Sequence, residues 1–254
     1  MVLLTNIFAR NPGTLTGPGN NTYLIDGAEP TLIDAGVGHP DHLNELARVL
    51  GGRALARVLV THGHPDHASG VPALRARWPG VLVHKWVGDG ANPGWLPLRD
   101  GDTVCAGGDV LQVIYTPGHA IDHVCFWQPE SRELFCGDMM TKTTTIMVPP
   151  AARGGSLRDY LASLQRLAAL EPIVAWPGHG EVIHAPVQRI AEYLAHRAER
   201  ERQVVACLDN GVTDLDGILA RVYADTAPAL WPAARLTVEA LLEKLGRVPR
   251  YDAI

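Results

Sequence analysis

The chain has 254 residues, 46% of them hydrophobic and 19% charged, which excludes a disordered chain and suffices for one large domain or a domain with a smaller companion. A formal net charge of -5 gives no general attraction for phosphate backbones, although bound cations or a local basic patch can reverse the local sign. None of the four cysteines forms a C-x-x-C pair, no stretch approaches the roughly 20 apolar residues of a membrane helix, and the first residues lack a secretory signal, so a cytoplasmic protein with buried free thiols and no membrane partner is expected.

In chain order, short β-type runs are predicted over 22–25 and 31–33, joined by the turn pair Asp26-Gly27 and closed by Asp34-Ala35-Gly36. Leu43, Leu46 and Leu50 fall at helical spacing over 40–50, and Gly51-Gly52 stops that helix. A buried strand over 56–60 leads into Thr61-His62-Gly63-His64-Pro65-Asp66-His67, then come a helix over 71–78 and a strand over 81–83. Strands follow over 110–115, 123–127 and 133–136, then a leucine-spaced helix over 157–170 and a last strand over 173–175. Strands alternating with helices indicate an α/β domain with layered sheets. Beyond Pro186 the chain reads as charged and helical, with helices over 187–208, 214–223 (Thr213 as N-cap) and 228–245. Domains are therefore expected at 1–185 and 186–254, the second small and helical. The apolar stripe from Leu236 to Leu245 fits core or a homodimer surface.

The chemistry is concentrated after the strand at 56–60. His62, His64, Asp66 and His67 deliver imidazole nitrogen and carboxylate oxygen to one point, a donor set suited to zinc, with manganese or iron as substitutes. His119 in Thr116-Pro117-Gly118-His119, Asp138 in Cys136-Gly137-Asp138 and His179 in Pro177-Gly178-His179 each follow a strand, with a glycine in front to permit an unusual backbone shape.

This order, H-x-H-x-D-H, then His, then Gly-Asp, then Pro-Gly-His, resembles the metallo-β-lactamase-fold hydrolases over nearly the whole chain. The resemblance implies a four-layer αβ/βα sandwich with two divalent metal ions at one edge. His62, His64 and His119 would hold one ion, Asp66, His67 and His179 the other, and Asp138 would bridge them. Two cations lower the pKa of a shared water, so that hydroxide is available near neutral pH, and Asp66 is expected to help manage its proton.

Asn11-Pro12-Gly13, residues 19–24, Thr144-Thr145, residues 160–164, residues 177–183 and His196-Arg197 through Arg200 resemble the branch of β-lactamase-like proteins with a C-terminal winged-helix-like domain. That branch includes a single-strand-selective endoribonuclease, which implies a phosphodiester of single-stranded RNA as first substrate. A thioester or lactone, as in glyoxalase II-type enzymes, is the alternative. Asp138 argues against β-lactam hydrolysis, and a metal-loaded binding protein is the non-enzyme reading. Asn21, Lys142 and Thr144 are the candidate substrate contacts, with Arg153 and His184 as further donors. Arg197, Arg200 and Arg202 alternate with Glu199 and Glu201, which reads as a solvated, self-paired helix face. Trp86, Trp95 and Trp176 read as packing before base stacking.

Overall fold

In the computed structural model, which describes residues 3–14, 16–88 and 94–247, two sheets stack face to face between helical layers. The first sheet runs in the spatial order β1 (Leu4–Phe8), β2 (Asn21–Ile25), β3 (Thr31–Ile33), β4 (Arg57–Val60), β5 (Leu82–Trp86), β6 (Leu96–Leu98). The second contains β7 (Thr103–Ala106), β8 (Asp109–Tyr115), β9 (Val124–Gln128), β10 (Glu133–Gly137) and β11 (Val174–Pro177), in the order β11-β10-β9-β8-β7.

Side-chain alternation builds the layers. Tyr23, Ile25, Leu59, Val124, Phe126 and Phe135 fill the space between the sheets. Leu24, Val58 and Val60 point the other way, onto α1 (Pro40–Leu50) and α3 (Val71–Arg77). Cys125, Trp127, Leu134 and Cys136 point outward onto α4 (Leu157–Ala169) and the C-terminal helices. Strands covered on both faces read as continuous apolar runs, with the period of two carried by direction alone. The result is the expected αβ/βα sandwich.

β1, β6 and β7 are additions to the predicted strands. β1 carries Thr5 and Asn6 and β6 carries Pro97, a composition that a sheet edge tolerates and a central strand does not. The segment over 228–245 resolves into a 3-10 turn (Pro228–Leu230) and α7 (Trp231–Lys244), after α5 (Pro186–Asp209) and α6 (Leu215–Val222). The N-cap of α6 is Asp214, not Thr213, because the Asp214 carboxylate accepts from Gly217 N. Among the described residues, no strand follows β11 and no helix is long and apolar enough to cross a membrane.

Leu215, Ile218, Val238, Leu241 and Leu242 are buried in one cluster with Tyr160, Leu164 and Leu167 of α4. Each such side chain is worth about 1.5–3 kcal/mol, against at most about 1 kcal/mol for a surface ion pair such as Arg235–Asp216, so apolar burial fixes the C-terminal helices. The apolar stripe of α7 is therefore core within this chain.

One buried histidine outside the edge cluster sets an acid limit. Thr22 donates its hydroxyl to Ile7 O, so it accepts from His42 Nε2 at 2.8 Å, which leaves His42 Nδ1 buried without a partner. Burial pushes the His42 pKa down to about 4 from 6.5. The folded state thus favours neutral His42; its contribution is complete above pH 6.5 and is lost as pH falls toward 4, about 3 kcal/mol in all. Urea unfolding at pH 7.5 and pH 5 should show a loss about 2 kcal/mol larger in the parent than in His42→Gln. Equal losses would refute this assignment.

Candidate active site

β3, β4 and β5 are parallel, and β8, β10 and β11 share one direction, because β9 is antiparallel to both β8 and β10 while β11 is parallel to β10. The sheets are joined at the carboxyl ends of these strands, where Val124 N donates to Thr61 O and Asn21 N to Gly178 O, both at 2.8 Å. All seven predicted ligands lie on this edge. His62 and His64 follow β4, and Pro65 at the first position of α2 (Pro65–Ala68) starts the single turn that presents Asp66 and His67. His119 follows β8, Asp138 follows β10 and His179 follows β11.

Their polar atoms converge. His64 Nδ1 lies 3.0 Å from His62 Nε2 and 3.0 Å from His119 Nε2. His67 Nε2 lies 3.4 Å from His179 Nε2, from Asp66 Oδ2 and from Asp138 Oδ1. Asp138 Oδ2 is 3.6 Å from His119 Nε2 and 3.4 Å from His179 Nε2, and Asp66 Oδ2 is 3.3 Å from His179 Nε2.

The outward nitrogens decide what the inward ones can be. Thr61 donates its hydroxyl to the Asp34 carboxylate at 3.0 Å, so His62 Nδ1 donates to Thr61 Oγ1 at 3.0 Å. Asp34 Oδ2 only accepts, so His67 Nδ1 carries a proton toward it at 2.7 Å. His119 Nδ1 donates to Met147 O at 2.8 Å. In their neutral forms the rings of His62, His67 and His119 would therefore present bare Nε2 lone pairs to the facing imidazoles and carboxylates. A tetrahedron whose ligand bonds are about 2.0–2.2 Å has edges of about 3.3–3.6 Å; the separations around His67, His179, Asp66 and Asp138 match it and those at His64, 3.0 Å, are slightly shorter, so these residues fit divalent cations.

The field agrees. Burial pushes His62 and His119 down. Burial also opposes charge on His67 and His179, yet Asp138 with Asp34 raises His67 well above its usual value, and Asp138 with Asp66 pushes His179 up to about 9. Burial raises the carboxyls of Asp66 and Asp138, but the facing imidazoles outweigh it and hold both well below the usual range. The pocket thus favours positive charge between its carboxylates.

Two buried residues outside the predicted set support the ligands. Asp34 has a left-handed backbone (φ 62°) and also accepts from Thr61 N at 2.8 Å. His123 Nε2 accepts from Asp138 N at 3.1 Å, while its Nδ1 faces Thr116 Oγ1 at 2.9 Å. The glycines before the ligands differ in kind. Gly118 and Gly137 combine positive φ (138° and 47°) with crowding by Tyr160 and His123, whereas Gly178 is needed for space alone, since a Cβ there would sit 2.5 Å from Asp138 Oδ1 and 2.7 Å from His67 Cε1.

The predicted substrate contacts fall differently. Asn21 is 1% exposed; its Nδ2 donates to Pro177 O and Gly180 O, both at 2.9 Å, and its Oδ1 accepts from Asn6, so it holds the His179 loop and has no atom left for substrate. Lys142 is half-exposed and pairs with Glu181, which ties it to the same loop. Thr144 is exposed, with its hydroxyl 3.0 Å from Thr141 Oγ1 and its carbonyl accepting from Arg189 and Tyr193. The α5 arginines are not a solvated face as a group: Arg202 pairs with Glu199, but Glu201 pairs with Lys244, Arg197 is 2% exposed, and Arg200 donates to Val222 O beneath the Tyr223 ring. Trp86 stacks on Tyr115 and Trp176 packs against Tyr23 and Phe135.

Comparison with known proteins gives a consistent picture. Residues 15–179 match the Metallo-beta-lactamase superfamily, and residues 215–249 match the Beta-lactamase associated winged helix domain. The chain is 37% identical to Thioesterase pkgB of Emericella nidulans over 78% of its length, and it spans 56% of that longer protein. It is 32% identical to the Beta-lactamase-like protein 2 homolog of Caenorhabditis elegans, over 95% of this chain and 83% of that one. The crystal structure of a metallo-beta-lactamase family protein from Thermus thermophilus superposes with a TM-score of 0.76 at 25% identity, covering 96% of this chain and 94% of that chain.

Proposed function

The chain belongs to the metallo-beta-lactamase superfamily and carries its associated winged helix domain, and we propose that it is a binuclear hydrolase acting on a thioester or a related activated ester. The observation that carries the two-ion reading is the convergence of imidazole nitrogens on the carboxylates of Asp66 and Asp138. His62, His64 and His119 would hold one ion; Asp66, His67 and His179 would hold the other. Asp138 would bridge them, since its Oδ1 faces His67 and its Oδ2 faces both His119 and His179. Zinc suits the donors, and manganese or iron can take the same set. Such ions acidify water toward neutral pH and polarise the carbonyl under attack. The side chain of Asp66 is 23% exposed against 9% for Asp138, so it faces the open side. Held ionised, Asp66 accepts a hydrogen bond from the attacking water and orients it rather than storing its proton.

Two observations favour carbonyl over phosphodiester. The relative of highest identity named above is a thioesterase. Cations that could hold a phosphodiester are mostly engaged elsewhere: Arg197 and Arg200 inside the protein and Lys142 with Glu181, which leaves the exposed Arg153. The test is a panel of acyl thioesters and lactones beside labelled single-stranded RNA, with the His64→Ala, Asp138→Ala double variant as control. Metal-dependent thioester turnover that vanishes in the control is expected. RNA cleavage that vanishes in the control, without carbonyl turnover, would overturn the substrate assignment and leave the metal site standing.

A further inference from the structure

Arg189, Tyr193 and Arg197 recur every four residues along α5 and so form one stripe. All three close on the segment 139–148, which leaves Asp138 and passes under His119. Arg189 donates through Nε to Thr141 O at 2.8 Å and through Nη2 to Thr144 O at 2.6 Å. The Tyr193 hydroxyl accepts from Thr141 N and donates to Thr144 O, both at 2.8 Å. Arg197 Nη2 donates to Ile146 O, with its guanidinium 5.8 Å from the Tyr160 ring centroid. The adjoining carbonyl, Met147 O, is the acceptor that fixes His119 Nδ1.

Arg197 is an unusual residue to bury. It is 2% exposed, and among the described residues no carboxylate pairs with it. A buried cation without an opposite charge costs several kcal/mol, which packing alone does not demand. Its rigid planar fork suits the fixing of a peptide unit better than a flexible ammonium does.

We propose that Arg197 is a positioning residue for His119, acting through the backbone from Ile146 O to the next carbonyl, Met147 O, and that this coupling is what α5 contributes to the metal centre. The proposal rests on the two-ion reading above. If the backbone at Ile146 and Met147 shifts, Met147 O, in the next peptide unit, leaves His119 Nδ1, and the ring loses both its tautomer and its aim at His64 and Asp138.

The test measures stepwise zinc affinities of the full chain by chelator competition. Arg197→Met should weaken one of two bound zinc ions about 10- to 100-fold, the usual effect of losing an outer partner, and leave the other within about twofold. Arg197→Lys should recover part of the loss. Leu219→Ala, a cavity in the same apolar cluster, should lower the unfolding temperature without changing either affinity. Unchanged zinc affinities in Arg197→Met, or equal weakening of both ions, would overturn the proposal. If Arg197→Met does not fold, Arg197→Lys decides: parent-like affinities for both ions overturn the proposal, and selective loosening of one supports it. A parent chain that binds fewer than two zinc ions would fail the two-ion reading and the proposal with it.

Discussion

Replacing Asp138 by asparagine should lower kcat/KM by about a thousandfold or more while leaving the fold intact. The scaffold around this residue does not use its carboxylate: Asp138 N is held by His123 Nε2 at 3.1 Å, and Gly178 N donates to Gly137 O at 2.9 Å. What the carboxylate supplies is two equivalent acceptors, Oδ1 toward His67 at 3.4 Å and Oδ2 toward His119 at 3.6 Å and His179 at 3.4 Å. Asparagine has the same shape but keeps one oxygen, and its amide turns hydrogens toward whichever set it abandons. One ion should therefore be lost. Charge stabilisation by such an ion is worth several kcal/mol, which at 1.36 kcal/mol per decade sets the thousandfold figure. Steady-state kinetics paired with metal analysis checks this, and added metal should not restore kcat. A variant that retains two ions and activity within about tenfold of the parent would show that Asp138 does not bridge.

The ligands are legible in the sequence because their geometry is local. His62 and His64 sit beside one strand end, and Asp66 and His67 share the one turn that follows, so spacing stands in for structure. His119, Asp138 and His179 each end a strand, and the common direction of β8, β10 and β11 brings them to the same edge. The supporting residues have no such signature. Asp34 ends β3 and reads as a turn aspartate; only the parallel pairing of β3 with β4 sets it beside Thr61 and His67. Asn21 has the opposite history. It reads as a substrate contact, but its amide is committed to carbonyls of Pro177 and Gly180, more than 150 residues away. The α5 arginines mislead in a third way, because alternating charge along a helix looks solvated until the i, i+4 stripe is found to face the segment after Asp138. The outer strands β1 and β6 escape for a simpler reason, since edge positions tolerate the polar residues and proline that argue against a strand.

Asp34→Asn separates support from ligation. The substitution keeps the shape, and asparagine tolerates the left-handed backbone at φ 62°. The carboxylate now accepts from Thr61 N at 2.8 Å, from the Thr61 hydroxyl at 3.0 Å and from His67 Nδ1 at 2.7 Å. A carboxamide cannot accept on both sides. If its oxygen serves Thr61, its amide hydrogens confront the proton on His67 Nδ1, and the ring relieves this by moving that proton to Nε2. The nitrogen aimed at Asp66, Asp138 and His179 then becomes a donor and cannot take a metal. If the amide turns over, the buried Thr61 N–H loses its acceptor instead, at about 1–3 kcal/mol. Either way, affinity for the ion beside Asp66, His67 and His179 should fall about 10- to 100-fold. Unlike Asp138→Asn, this variant retains every ligand, so saturating metal should return most of kcat. Rescue by metal would establish Asp34 as the residue that fixes the tautomer of His67. A loss of kcat that excess metal does not relieve would place Asp34 closer to the reacting atoms than its hydrogen bonds allow.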